Sequence, residues 1–584
     1  YAEQPFVKID HRLVVLCADP SASSVFEPGV DEERALLGVR SCVLEVPFAA
    51  AAVELDDERF QLPGDRPSSL RHEHDLAHDV VTAGGRQRRE GRTTGHVGIH
   101  SAAGPALAAG IRTFWQTCPK GISVSGDAIR LEILPELSGE ELPGDDEAWQ
   151  RLYRWLQDGR YLLREGLALT TELILALAPD EADHGGTAPL FDWLESPVTA
   201  RPRLAYANAT GALPRLASKE DSPQPRYERF AAEALRLFHE DQERWRAYGH
   251  VNFGDWYGEG DWSWGNNEYD TPYCAYWEFL RGGEPGWATW GAQSARHLAD
   301  VDTVNAFHDD RHVGLQPMHM PAHLGGYLPA YFRSKVPGTR GIPSHMWAEG
   351  PLLHFLLTGD EAVRDSLLRS AGWLLQPERL DHYEFSAVRE AGWHLIHLTM
   401  LASATGDRRA ANGAAVVVRR ILEKQDASGG WTRMLTSGHC WCGYPHCRGN
   451  IAFMVTVLLS ALKRYYDLTQ EAQVAGAILA GGRWLVRETV DEETGMFIGG
   501  SCKTMQRLSK GEVFGTQIII EGVADAFAVS GDPEIGRCLQ RALPAIGVMP
   551  DLEGHRDLGK RLSSQMRYVP TVLAALEESR AEHS

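Results

Sequence analysis

The chain has 584 residues with a formal net charge of −21, 43% hydrophobic and 23% charged residues, the balance of a globular protein too long for a single core. No Lys/Arg run offers a phosphate-binding surface, which argues against a nucleic-acid partner, and no stretch approaches the roughly 18 uninterrupted apolar residues of a membrane span. Nine scattered cysteines, an odd number, do not form a disulfide framework. With no basic-then-apolar leader in Tyr1-Ala-Glu-Gln-Pro5, they point to reduced thiols and cytoplasmic residence.

Residues 1–210 read as β. Short apolar or alternating runs such as Leu13 to Leu16, Ser41 to Val46 and Ala128 to Ile133 are separated by Gly/Pro/Asp clusters, as in a sandwich or barrel. Leu162 to Leu177 fits either a strand pair or a helix. Residues 211–226, polar and proline-bearing, read as a linker.

From 227 to 584 the apolar spacing becomes helical. Phe230, Ala234, Leu237, Phe238 and Trp245 form one stripe. Helix pairs then recur around the turns Thr358-Gly-Asp360, Thr405-Gly-Asp407 and Ser530-Gly-Asp532, where Gly ends one helix and Asp caps the next, and around Leu468-Thr469. Divergent pairs interrupted by long aromatic and His-rich loops favour a closed (α/α) toroid over an open solenoid. The expected fold class is therefore a multidomain β plus α protein: an N-terminal antiparallel β-sandwich or barrel region, then a C-terminal (α/α) toroid.

Four segments can carry chemistry. Gly249 to Asp270 holds Asp255, Trp256, Trp262, Trp264, Asn267, Glu268, Tyr269 and Asp270 among glycines, a mixture of flat apolar faces and short polar groups that suits sugars. His319, His323, Tyr327 and Arg333, followed by His345, Trp347 and Glu349, combine proton-transfer groups with a cation; His319 and His323 also have metal-ligand spacing, although Pro321 opposes a regular helix between them. Arg389 can clamp a carboxylate or sit in an internal ion pair, with His394 one turn on. Cys440, Cys442, Cys447 and His446 suit a structural Zn(II), or else form a reduced cluster or a local disulfide.

These residues resemble the bacterial exo-rhamnogalacturonan lyase-like family. The likeness rests on Ile111 to Gln116 with Pro119-Lys120, Asn252-Phe-Gly-Asp-Trp256, Trp264 to Asp270, Ala295-Arg-His297, Val301-Asp-Thr303, His323-Leu-Gly-Gly-Tyr327 and His345 to Gly350. It implies a RIFT-type barrel, a β-sandwich and an α/α toroid. With only about 210 residues of β structure the barrel is expected to be trimmed. It also implies β-elimination at a uronate of an acidic polysaccharide or oligosaccharide, a reaction that needs no cofactor.

Such a reaction must neutralise the carboxylate, remove the C5 proton and protonate the leaving oxygen. Side-chain chemistry then assigns Asn267 and Arg333 to the carboxylate, His323 to the base with His319 as alternate, and Tyr327 to the acid. Asp255, Trp256, Trp262, Trp264, Glu268, Tyr269, Asp270, His345, Trp347, Glu349, Arg389 and His394 are expected to bind substrate. Two rival readings stand beside this one. A glycoside hydrolase would draw two carboxylates from Asp255, Glu259, Glu268, Asp270 and Glu349; a non-catalytic carbohydrate-binding protein would bind without turnover.

Overall fold

The computed structural model describes residues 6–16, 36–62, 66–102, 104–178, 188–211, 213–260, 263–317, 323, 342–380, 385, 387–435, 440, 447–550 and 556–581. Two six-stranded antiparallel sheets face each other at the N-terminal end. The first has the order β1 (Phe6–Val14), β15 (Ala168–Ala178), β10 (Ala106–Ile111), β9 (His96–His100), β4 (Ala52–Leu55), β5 (Glu58–Gln61). The second runs β3 (Cys42–Pro47), β12 (Ala128–Leu134), β11 (Lys120–Val124), β6 (Ser68–His74), β7 (Ala77–Thr82), β8 (Gly85–Glu90). A three-stranded sheet of β13 (Leu156–Gln157), β14 (Arg160–Arg164) and β2 (Leu36–Val39) flanks them. The segment open to either reading in the sequence is thus β14 and β15.

Val53, Ile99, Ala109 and Leu173 of the first sheet share one core with Leu70, Val80, Ile122 and Leu131 of the second, which makes the pair a sandwich. The described strands form open sheets; a closed barrel is not among them. Strand β10 is buried on both faces, because Phe191 and Leu194 of the helix Ala188–Glu195 cover its outer side. Gly110 is needed there, since a Cβ would lie 2.3 Å from the Phe191 ring.

Among the described residues, twelve helices of ten or more residues follow as six pairs: α1 (Pro225–Trp245), α2 (Thr271–Gly282), α3 (Pro285–His297), α4 (Glu349–Thr358), α5 (Glu361–Leu374), α6 (Arg389–Thr405), α7 (Arg408–Lys424), α8 (Ala452–Thr469), α9 (Ala472–Thr489), α10 (Val513–Ser530), α11 (Pro533–Ala542) and α12 (Leu558–Ala581). The even-numbered helices form the inner ring. Helix α8 packs between α6 and α10, and α2 packs on α4; α12 closes the ring by touching both α10 and α2, while α5 and the turn Pro343–His345 bridge α4 to α6. The odd-numbered helices lie outside. Burial explains the division: α6 and α10 are apolar around most of their circumference, whereas α7 buries one stripe, Ala410, Gly413, Ala414, Val417, Val418 and Ile421. Helix α10 is the one described helix long and apolar enough to cross a membrane, and here it is a wall of the ring.

The turns leaving α4, α6 and α10 behave as the sequence indicates. Gly359, Gly406 and Gly531 have φ of 73, 68 and 61°, a region costly for residues with a Cβ, and Asp360, Asp407 and Asp532 accept backbone N–H groups of the next helix. Short turns therefore join five inner helices to the outer helices that follow them, and long connections lead back to the next inner helix, while α12, the last helix, packs on α1, the first. All six inner N-termini lie at one end of the ring: Glu349 N of α4 meets Asp270 before α2, Arg389 of α6 meets Phe453 of α8, and Arg561 and Lys560 of α12 meet Phe514 of α10 and Glu268 before α2.

Candidate functional site

That end carries the charged and aromatic groups of a binding mouth. Arg389 at the start of α6 lies over Phe453 of α8, 5.7 Å from guanidinium carbon to ring centroid; Arg561 of α12 lies over Phe514 of α10 at 5.2 Å. All four are half-buried. Lys560 donates to both Glu259 oxygens at 3.0 Å and lies 2.8 Å from Glu268. Burial opposes the Lys560 charge, but Glu268 and Glu259 outweigh it and raise its pKa. Arg389 has only a 3.6 Å approach from its Nε to Glu390, whose carboxylate accepts Ser344 N and Oγ at 3.1 and 2.6 Å. Arg561 is paired with Asp557 at 3.0 Å, so Glu259, Glu268, Glu390 and Asp557 stand against these cations, and the helix N-termini add partial positive charge at the same end.

Tyr269 sits beside this charge. Its ring lies 6.5 Å from Trp347 and 5.9 Å from Tyr568, and Trp347 meets Trp393 at 5.1 Å. His345 is 6.4 Å from Trp347. Burial, then Glu268, raises the Tyr269 hydroxyl to about 12, while Lys560 and Arg389 pull the other way. The backbone beneath it is strained: Asn266, Asn267, Tyr269 and Asp270 have φ of 49, 50, 69 and 60°. For residues with side chains such geometry costs on the order of 1–3 kcal/mol each and persists only where surrounding contacts impose it. Asp255 imposes it here, accepting Asn266 N and Asn267 N at 2.8 Å each.

Several residues expected to touch a sugar are instead committed to the fold. Asp255, Asn267 and Asp270 are fully buried; Asn267 Nδ2 donates to Gly254 O, and the Asp270 carboxylate caps α2 while accepting Glu349 N and Gly350 N at 3.1 Å. Asn267 is thus turned away from any uronate carboxylate. Trp256 and Trp264 are buried; the Trp264 N–H donates to Arg151 O, and Trp264 belongs to the sandwich core rather than a sugar platform. Glu349 sits between Arg464 and Arg567, which lower its pKa against the effect of burial. His394 is buried against Leu374 O at 2.8 Å, and burial pushes its imidazole down to about 3. A large aromatic or a carboxylate has the same letter whether it binds sugar or fills a core, which is why composition alone misplaced them.

His323 does meet the tryptophan-rich segment, but inside the protein. Its ring centroid lies 4.9 Å from Trp264 and 4.7 Å from His297, its Nε2 lies 3.9 Å from Asp255, and its Nδ1 lies 3.8 Å from Asp302. Complete burial of the side chain removes His323 from the role of a solvent-facing base. His319, Tyr327, Arg333, Trp262, Cys442 and His446 lie outside the described residues. Cys440 and Cys447 are brought together with Cys502, a ligand candidate too distant in sequence to be recognised from spacing; their sulfurs fall within 4.8 Å of one another. Lys560, Arg464, Arg567, His297 and Asp302 were likewise not singled out, being isolated charges or part of a longer motif.

No protein-family model matches the chain, and no curated protein matches it. Among solved structures it is similar to a polysaccharide lyase, with 10% identity over 60% of this chain and 98% of the other at a TM-score of 0.40. It is also similar to an unsaturated glucuronyl hydrolase specific for heparin, with 8% identity over 61% and 98% at 0.42, and to a sugar epimerase from a ruminal bacterium, with 10% over 50% and 77% at 0.37. Likenesses this distant carry no argument about the chemistry of this chain.

Proposed function

We propose that the chain is an enzyme that cleaves an acidic saccharide at a uronate by β-elimination in the mouth of the helical ring. One observation carries the reading: Arg389, Lys560 and Tyr269 share the end of the ring at which six helix N-termini converge. A uronate C5 proton becomes removable only when the adjacent carboxylate is neutralised, which is the task Arg389 and the helix ends are placed to perform. Lys560 keeps Glu259 and Glu268 compensated beside it. Tyr269, protonated at neutral pH, supplies the proton to the departing glycosidic oxygen, and His345 takes the C5 proton. Tyr269 and His345, 9% and 6% exposed, take the roles first given to Tyr327 and His319, which lie outside the described residues, and to the fully buried His323.

The test is incubation of the full chain with a panel of polyuronates while following ultraviolet absorbance of the unsaturated product and reducing ends together. The two should rise in step. Reducing ends without the chromophore would instead establish hydrolysis, a reading favoured by the convergence of Glu259 and Glu268 on one lysine. Binding without either signal would leave a carbohydrate-binding protein.

A further inference from the structure

Beneath the strained stretch that presents Tyr269 lies a closed group of four side chains, Asp255, His297, Asp302 and His323, each 0–1% exposed. His297 Nδ1 lies 3.1 Å from Phe253 O and donates to it, so in the neutral ring Nε2 carries the lone pair. That lone pair faces two carboxylates, 3.4 Å from Asp302 Oδ1 and 4.0 Å from Asp255 Oδ2. Neither separation is a hydrogen bond. Among the described residues, His297 Nε2, both Asp302 oxygens and both His323 ring nitrogens have no hydrogen-bond partner, although all are buried. Buried polar atoms are almost always satisfied, and a convergence of five such atoms that are mainly acceptors calls for a cation between them.

We infer that Asp255, His297 and His323 bind a divalent transition-metal ion, with Asp302 as the neighbouring carboxylate that balances its charge and orients His323. The candidate ligand atoms of the three lie within 4.8 Å of one another. Metal–ligand bonds of about 2.0–2.1 Å in a tetrahedral zinc site would bring such atoms to roughly 3.3 Å apart. The pairs from Asp255 to His323 and His297, at 3.9 and 4.0 Å, would therefore close by about 0.6–0.7 Å on binding. Two imidazoles with carboxylates suit Zn(II) and its first-row neighbours rather than Ca(II). The outer contacts of a metal site are already built: the Phe253 carbonyl fixes the His297 tautomer, and Asn266 N and Asn267 N hold Asp255. With every ligand closed from solvent, the ion has a structural role. It ties the segment before α2, the end of α3 and the connection containing His323 into one unit under the mouth.

The thiol cluster must be separated from this site, so the experiment uses the full chain carrying Cys440→Ser and Cys502→Ser. After loading with Zn(II) and dialysis, elemental analysis should find about one equivalent, and adding His297→Ala should remove it. Chelation should lower the melting temperature of the first protein and leave that of the His297→Ala protein unmoved. If the His297→Ala protein does not fold, Co(II) loading of the Cys440→Ser, Cys502→Ser protein decides: visible d–d bands without thiolate charge transfer are expected, and their absence overturns the proposal. Retention of a full equivalent of Zn(II) after His297→Ala overturns it equally.

Discussion

Glu172 of the last sandwich strand lies 3.7 Å from Arg296 of α3, and Arg296 in turn bonds Asp360 at the start of α5. Glu172 also holds Lys8 at 2.5 Å and pairs with Arg112, so one carboxylate joins two strands of the sandwich to the ring. Burial alone would raise its pKa, but Arg112, Arg296 and Lys8 outweigh burial and bring it to about 2. A folded-state pKa below the unfolded one contributes stability that is complete above the unfolded value and lost as pH falls through the folded value. Glu172 should therefore contribute on the order of 3 kcal/mol at neutral pH, lost between about pH 4.5 and 2. Urea unfolding of wild type and Glu172→Gln across that range checks this: the difference between the proteins should shrink as the pH is lowered, and a difference constant with pH would refute it.

Arg389 is a half-buried cation of the mouth that no carboxylate among the described residues engages at hydrogen-bond distance, Glu390 lying 3.6 Å away. Arg389→Ala should reduce kcat/KM on a polyuronate by roughly 10- to 100-fold, the loss expected for one charge-assisted contact, with the melting temperature little changed. Arg389→Lys should recover only part of the loss, because a lysine cannot make the two-pronged contact to a carboxylate. Activity equal to wild type in the alanine variant would remove the residue from the site.

Tyr269 tests the proton-transfer assignment separately from binding. Tyr269→Phe retains the ring that meets Trp347 and Tyr568 and deletes only the hydroxyl. A general acid of this kind is worth about 10²–10⁴-fold, and the loss should fall on kcat rather than on KM. A substrate whose leaving group needs no protonation should restore much of the rate. A loss confined to KM would make Tyr269 a binding platform only.

The contrast between fold and site follows from what each kind of residue reveals in one dimension. Gly359-Asp360, Gly406-Asp407 and Gly531-Asp532 are local devices, a left-handed residue and a cap within two positions, so the sequence spells them directly. The stripe Phe230, Ala234, Leu237, Phe238 and Trp245 is similarly local, and all five are buried. The mouth is assembled from single residues at the starts of separate helices, such as Arg389, Phe453, Phe514 and Lys560, and no spacing along the chain relates them. His323 lies 4.9 Å from Trp264 by ring centroid and 3.9 Å from Asp255. Their burial depended on packing between ring and sandwich, which composition does not carry.

Glu349 should prove structural. Its carboxylate is buried between Arg464 and Arg567, and Arg567 also stacks on Tyr273 at 3.9 Å. Glu349→Ala leaves two buried guanidiniums without this partner, a change that costs about 3–5 kcal/mol in comparable buried pairs. The expected result is a large fall in melting temperature or in soluble yield, with Glu349→Gln intermediate. An alanine variant as stable as wild type but inactive would return Glu349 to the substrate-binding set.

The thiol cluster makes the last prediction. Cys440 and Cys502 sulfurs are 3.4 Å apart, too far for a disulfide bond of about 2.05 Å and close to the roughly 3.8 Å that two thiolates adopt around a tetrahedral zinc. Cys447 supplies a third sulfur. Three thiolates and a fourth donor would bind Zn(II) as a structural ion holding the connection before α8 to the short helix Lys503–Leu508, which Cys502 caps. Co(II) substitution of the full chain should give intense thiolate-to-metal absorption. Cys502→Ser should weaken that band and lower the melting temperature, whereas His297→Ala should leave it intact. Full reaction of all three thiols with a thiol reagent in the folded zinc-loaded protein, at the rate seen after chelation, would show that no ion is held there.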